Sequence, residues 1–164
     1  MSDTVLGWMA MVRVMALLKA AGHLYCFFYL LVAVHELAHA VAAAVLGVRI
    51  FEISIGRGPI VYALDFGDMV LRLSLIPVGG HVDVSQSRLL SLRGWQVILF
   101  FEAGPLAACA AAMIIDLACS NLVTSVTLLL GLASLITSNI PFIKGTDAQN
   151  MVMTFSNLKR DDDS

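Results

Sequence analysis

Apolar residues in this chain gather in long unbroken runs separated by one stretch of strand-like alternation. Runs at about residues 24–47, 95–119 and 121–143 reach or exceed the roughly 20 residues that cross a bilayer, and each predicts a transmembrane helix. A fourth run, residues 5–21, carries Arg13 and Lys19 and is separated from the next only by residues 20–23. It predicts an N-terminal apolar helix that spans the bilayer or lies in its interface. The start, Met1-Ser2-Asp3, lacks the basic region of a signal peptide, and no clean small-residue cleavage site follows, so this helix is expected in the mature protein.

Between the first two long runs the period changes. Residues 50–55, 60–66 and 69–76 are short and β-prone, with Leu71, Leu73 and Leu75 alternating with Arg72 and Ser74 as in a half-buried strand. Gly56-Arg57-Gly58-Pro59 and Gly67-Asp68 read as turns, and Pro77-Val78-Gly79-Gly80 closes the third strand before residues 81–84. Residues 86–93 read as a polar connector, and residues 159–163 as a solvated, frayed tail. The expected fold class is a mainly α membrane protein with three core transmembrane helices and an N-terminal apolar helix. A small antiparallel β-sheet is inserted between the first two core helices, all within one membrane-embedded domain over residues 1–164.

Composition supports this reading. Hydrophobic residues make up 59% of the chain, charged residues 13%, and the mean hydropathy is +0.88, far more apolar than an ordinary soluble domain. A net charge of −2 supplies no basic patch and excludes a nucleic-acid role. Cys26, Cys109 and Cys119 are odd in number and lack metal-ligand spacing, so they read as small hydrophobes. Arg49, Arg57, Arg72, Arg88 and Arg93 fall in the sheet-containing loop, and Lys144, Lys159 and Arg160 follow the last long run, whereas residues 119–121 hold no Lys or Arg. The positive-inside rule then predicts a multi-pass protein with the sheet loop and C-terminus in the cytoplasm.

The candidate chemistry lies in His35-Glu36-Leu37-Ala38-His39, inside the first long run. Helix positions four apart share a face, so two imidazoles can grip one Zn²⁺ while the intervening Glu reaches its bound water. With 4 His in the chain and Glu36, Glu52 and Glu102 as its glutamates, a chance match has a probability of about 2 in 1,000. The plainer reading is two buried histidines bonded to neighbouring helices, with Glu36 as a polar passenger. An ionisable cluster at membrane depth is costly, however, and marks a functional site. His35-Glu36 lies roughly 18 Å along its helix from Leu24 and His39 roughly 12 Å before Gly47, which puts a metal inside the bilayer, nearer its cytoplasmic side.

A catalytic zinc takes three protein ligands and leaves a fourth position to water. Pro141 and Gly145 interrupt the apolar run before Asp147, and such a break is tolerated only where protein or a water-filled cavity surrounds it. Asp147 reads either as the third ligand or as an Asp opening a new helical turn capped by Thr146. Glu102, His81 and Asp83 are its competitors.

Taken in order, His35-Glu36-Leu37-Ala38-His39, Gly56-Arg57-Gly58-Pro59, Pro77-Val78-Gly79-Gly80, Ala103-Gly104-Pro105 and Asn139-x-Pro141 leading to Asp147 resemble the motif set of the site-2 protease family of intramembrane zinc metalloproteases. The match covers about residues 24–151. Singly, a Gly-x-Gly-Pro or an Ala-Gly-Pro is weak evidence; the ordered set is specific. The resemblance implies a zinc endopeptidase with His35, His39 and Asp147 as ligands, Glu36 as catalytic acid/base, and Asn139 orienting substrate or stabilising the oxyanion. An Asn beside a Pro break equally serves to satisfy freed backbone groups.

Four departures qualify it. Ala108 stands where the family commonly has Asn, Ala148 where Gly often follows the ligand Asp, and His81 where an aromatic residue is frequent. No PDZ-like insert is present. His81 reads mainly as a strand residue, and Glu102 as either a partner to a ligand His or an interhelical hydrogen bond. The expected activity is hydrolysis of a peptide bond in or near a transmembrane segment of another protein, using one Zn²⁺ per chain. An exposed strand edge near Gly79 and Gly80 would hold the unwound substrate. Ala108 favours an alternative, a proteolytically silent metal-binding module that sequesters membrane helices. A metal-free scaffold or transporter component lacks any inverted repeat. The expected partners are a membrane-protein substrate and the lipid bilayer, with the oligomeric state open.

Overall fold

The computed structural model describes residues 3–119, 121–138 and 146–162. Its elements in order are α1 (Asp3–Val45), β1 (Ile50–Asp65), β2 (Val70–Val84), α2 (Gln86–Leu90), α3 (Gly94–Cys119), α4 (Leu122–Ser138) and α5 (Asp147–Asp162).

The separate N-terminal helix expected from the sequence is instead the first half of α1, a single helix of 43 residues. Ala20, Ala21 and Gly22 contain no proline, and one Gly costs a helix only about 1 kcal/mol, too little to stop propagation. At 1.5 Å per residue α1 is about 64 Å long, roughly twice the hydrocarbon thickness. Along its first half nearly every apolar side chain is exposed. It ends at Gly47 (φ 67), where Gly47 N–H donates to the Ala44 carbonyl (3.1 Å) and Val48 N–H to that of Ala43 (2.8 Å). This left-handed glycine cap turns the chain directly into β1.

Helices α1 and α3 are both long and apolar enough to cross a membrane. The described part of the third expected span is α4, with 17 residues; residues 139–143 of that run lie outside the described residues. Asn121 and Thr124 bond reciprocally at the start of α4: Asn121 N–H donates to Thr124 Oγ1 (3.0 Å), and Asn121 Oδ1 accepts from Thr124 N–H (3.1 Å). This cap follows α3 closely and folds α4 back onto it. The two helices meet at Gly131, where a Cβ would lie 2.6 Å from the Ala112 Cβ.

The short strands expected from the sequence are two long ones paired antiparallel. Only Gly67-Asp68 is a true turn, with Phe66 N–H donating to the Met69 carbonyl (2.9 Å). The glycines at 56, 58 and 79, all at positive φ, are bends inside continuous strands rather than breaks. These bends let residues 52–55 face β2 twice: Ile53 is opposite Leu71 and Val82, and Ser54 opposite Arg72 and His81. Residues 80–84 pair with residues 50–55 on one side and, among the described residues, with nothing on the other.

Two apolar clusters join the sheet to the helices. Val32 and Ala40 of α1 pack on Ile53 and Ile55, while Ala43, Leu46, Val84, Val97, Phe100 and Phe101 gather where α1, the strand ends and α3 meet. The expected polar connector contributes Leu89 and Leu92 to the second cluster, and residues 86–90 form α2. Tyr29 Oη donates to the Ser74 carbonyl (3.0 Å), and Tyr25 Oη to that of Leu75.

Gly56 is the bend on which the sheet's shape rests. A Cβ there would meet the Ile76 and Ser74 carbonyl oxygens at 2.7 and 2.9 Å, at φ 84. Gly56→Ala is expected to destabilise the folded protein by about 2 kcal/mol or more. Thermal unfolding in detergent checks this, and an unchanged midpoint would contradict it.

Candidate metal centre

His35 and His39 lie one turn apart on the face of α1 that meets α3 and the sheet. Their Nε2 atoms are 3.2 Å apart. Asp147, the first residue of α5, places Oδ2 3.3 Å from His35 Nε2 and Oδ1 3.5 Å from His39 Nε2. Two ligand atoms each about 2.0–2.1 Å from a tetrahedral ion lie about 3.3 Å apart. The two nitrogens have that spacing, the carboxylate turns one oxygen toward each of them, and one donor atom from each residue lies within 4.8 Å of the others, close enough to share one ion. Among the described residues, they are the only cluster of three or more His, Cys, Asp or Glu groups able to share an ion.

The surroundings fix each donor. His39 Nδ1 lies 2.7 Å from the Phe100 carbonyl oxygen; since a carbonyl only accepts, Nδ1 carries the hydrogen and Nε2 presents its lone pair to the cluster. Thr146 caps α5, its Oγ1 accepting from Gln149 N–H (3.3 Å) and its carbonyl from Asn150 N–H (3.0 Å). The sequence left Asp147 as either a helix-opening residue or a ligand, and the geometry makes it the first and places it beside the imidazoles as well. The positive end of the α5 dipole favours its charge.

Glycines bring the other elements in. A Cβ at Gly104 would collide with His39 Nε2, and would lie 2.8 Å from His35 Cδ2. A Cβ at Gly80 would collide with the Ser54 carbonyl and stand 2.7 Å from Glu36 Cγ. The Ala-Gly-Pro and Gly-Gly motifs are therefore close-approach points, one against the imidazoles and one against Glu36. Glu36 and His39 are each 5% exposed. All three residues of the cluster and Glu36 line one cavity of about 460 Å³, walled by α1, both strands, α3, α4 and α5.

The other sequence candidates are dispersed. Gly79, Gly80 and His81 line the cavity from the strand edge, and His81 Nε2 lies 3.5 Å from Glu52 Oε1. Asp83 is exposed opposite Glu52. Glu102 is not among the cavity residues; the backbone carbonyl of Phe100, two residues earlier, is the partner of His39. No side-chain pattern could have singled out that carbonyl. Ala108 is a buried, apolar part of the cavity wall. Asn139 lies outside the described residues. Sequence reasoning missed Asn150, one turn beyond Asp147 on α5 and so on its face, and it missed Arg57 as a cavity residue; spacing from Asp147 was the available signal for the first.

A His-Glu-x-x-His helix closed by a carboxylate from a distant segment, set among apolar helices, defines a membrane-associated metal site of the metallohydrolase kind. The model of peptidase family M50 matches residues 24–160, and the chain belongs to that family. Among similar proteins, the zinc metalloprotease RasP of Shouchella clausii is 38% identical over 55 residues, covering 34% of this chain and 13% of that protein. A Chlamydia pneumoniae protein bearing a zinc metalloprotease name is 31% identical over 98 residues, 48% of this chain and 16% of its own length. A similarly named Treponema pallidum protein is 43% identical over 47 residues, 29% of this chain and 10% of its own. The matched segments thus span a small part of those relatives.

Gly104→Ala is expected to lower zinc affinity at least tenfold, because the added methyl must push His39 or α3 away from the cluster. Metal content after dialysis against a zinc buffer checks this. Retention of the wild-type affinity would show that the close approach of α3 is not required.

Proposed function

We propose that this protein is an intramembrane zinc endopeptidase that cleaves a transmembrane or membrane-proximal segment of another membrane protein. The observation that carries the reading is the spacing of His35, His39 and Asp147, with Glu36 buried in the same cavity. Membership of peptidase family M50 supports it.

His35, His39 and Asp147 hold the metal, and Glu36 is the acid/base. Bound zinc supplies a Lewis acid that polarises the scissile carbonyl and lowers the pKa of coordinated water toward neutrality. Glu36 accepts the proton of the attacking water and delivers it to the leaving amine. The His39–Phe100 hydrogen bond keeps Nε2 in its acceptor form throughout. A substrate helix hides its carbonyls in internal hydrogen bonds, so it unwinds before attack. The unpaired edge of residues 80–84 replaces those bonds by adding the segment as a strand, beginning beside Gly79 and Gly80. Asn139 is the assigned substrate-orienting group. The whole chain acts as one membrane-embedded domain, with the sheet loop and C-terminus on the cytoplasmic side in accord with the arginine distribution.

Glu36→Gln is expected to abolish cleavage of a co-expressed membrane substrate while leaving about one zinc per chain. His35→Ala and Asp147→Ala are expected to lose both. Normal cleavage by the Glu36→Gln protein would refute the mechanism, and a wild type that holds zinc but cleaves nothing would favour the silent module. A single cysteine placed at Asn121 is expected to react with impermeant reagent only from the side opposite the cytoplasm. Labelling from the cytoplasmic side alone would reverse the orientation.

A further inference from the structure

The arginines of the sheet differ in one respect. Arg49 Nη2 lies 3.1 Å from Asp68 Oδ1, and Arg72 Nη1 reaches both oxygens of Glu52 at 2.7 and 2.6 Å. Arg57 makes no ion pair within 4 Å among the described residues; it is exposed, lines the cavity that holds Glu36, and has that carboxyl as the nearest charge acting on it across the cavity. Its position is built by the backbone: it sits between Gly56 and Gly58, both at positive φ, opposite Ile76 in the register. The guanidinium lies along Gly79, with Nε, Nη2 and Cζ 3.5, 3.6 and 3.8 Å from where a Cβ of that residue would stand.

Gly79 is the first step of the unpaired edge, and the next residue, Gly80, packs on Glu36. At about 3.3 Å per residue, a strand added along that edge passes Arg57 within about three residues of the carbonyl facing Glu36. A guanidinium at that point with no close ion pair among the described residues can accept an anion from the added strand, and carboxylate is the one a peptide carries. We propose that Arg57 is a specificity-determining residue that receives an acidic side chain of the substrate close to the scissile bond. This rests on the endopeptidase reading and adds a sequence preference to it.

The test uses roughly 25-residue transmembrane peptides bearing Asp, Asn or Lys at successive positions around the membrane exit. Binding is measured to the full-length, zinc-loaded Glu36→Gln protein in neutral detergent, and cleavage is measured with the Glu36 protein. At one or two positions Asp is expected to bind, and to be cleaved with a kcat/KM, about tenfold better than Asn, with Lys worst. Arg57→Glu is expected to invert the order, and Arg57→Lys to keep it in weaker form. Matching zinc content and unfolding midpoints show that the variants are folded. Equal binding of Asp, Asn and Lys peptides, or no binding of any, would overturn the proposal. So would an Arg57→Glu protein that slows all peptides alike, since Arg57 would then act through Glu36. A binding preference that inverts, in a protein that cleaves nothing, would uphold the contact between Arg57 and the acidic side chain and overturn the endopeptidase reading instead.

Discussion

Everything in this fold answers to the burial of two imidazoles and two carboxyl groups among apolar helices. Such groups are costly where water is scarce unless each finds a partner. Here the imidazoles and Asp147 find one another, and His39 also finds a backbone carbonyl. His39 donates to Phe100, both imidazoles face Asp147, and Glu36 lies under the strand edge at Gly80.

Contact at that distance requires backbone without side chains in two places. Gly104 admits α3 to the imidazoles and Gly80 admits the sheet to Glu36, while Gly131 lets α4 close against α3 behind them. Three small residues on three elements thus set the depth at which the cluster is enclosed. Pro105, next to the first, has no N–H to return to the Phe101 carbonyl, so α3 lacks one of its helical hydrogen bonds beside Gly104.

The sheet contributes more than a cover. Its bends at glycine keep residues 52–55 between two parts of β2, anchored on α1 through Ile53 and Ile55. The outer segment, residues 80–84, is left with a free edge, and that edge passes the buried Glu36. A free strand edge is normally a liability; this one borders the cavity that holds Glu36, His35, His39 and Asp147.

The sequence by itself placed the candidate donors and marked the apolar segments. His35, Glu36 and His39 share a face because helical periodicity is local, and the length and apolarity of the runs select a bilayer for the same reason. The strand-prone loop and its glycines were legible too, since turn and bend residues act on their own backbone. What local rules cannot carry, tertiary structure decided. Ala20 to His23 looked like a boundary, but helix ends depend on stop signals and none was present, so α1 runs through. Gly56 and Gly79 looked like turns, but whether a positive-φ glycine ends a strand or bends it depends on which partner lies alongside. Asp147 could be placed at a helix start but not beside His35, because more than a hundred residues intervene and only packing closes that gap. The partner of His39 is a backbone carbonyl, which every residue possesses. Its selection at Phe100 came from where Gly104 allowed two helices to touch.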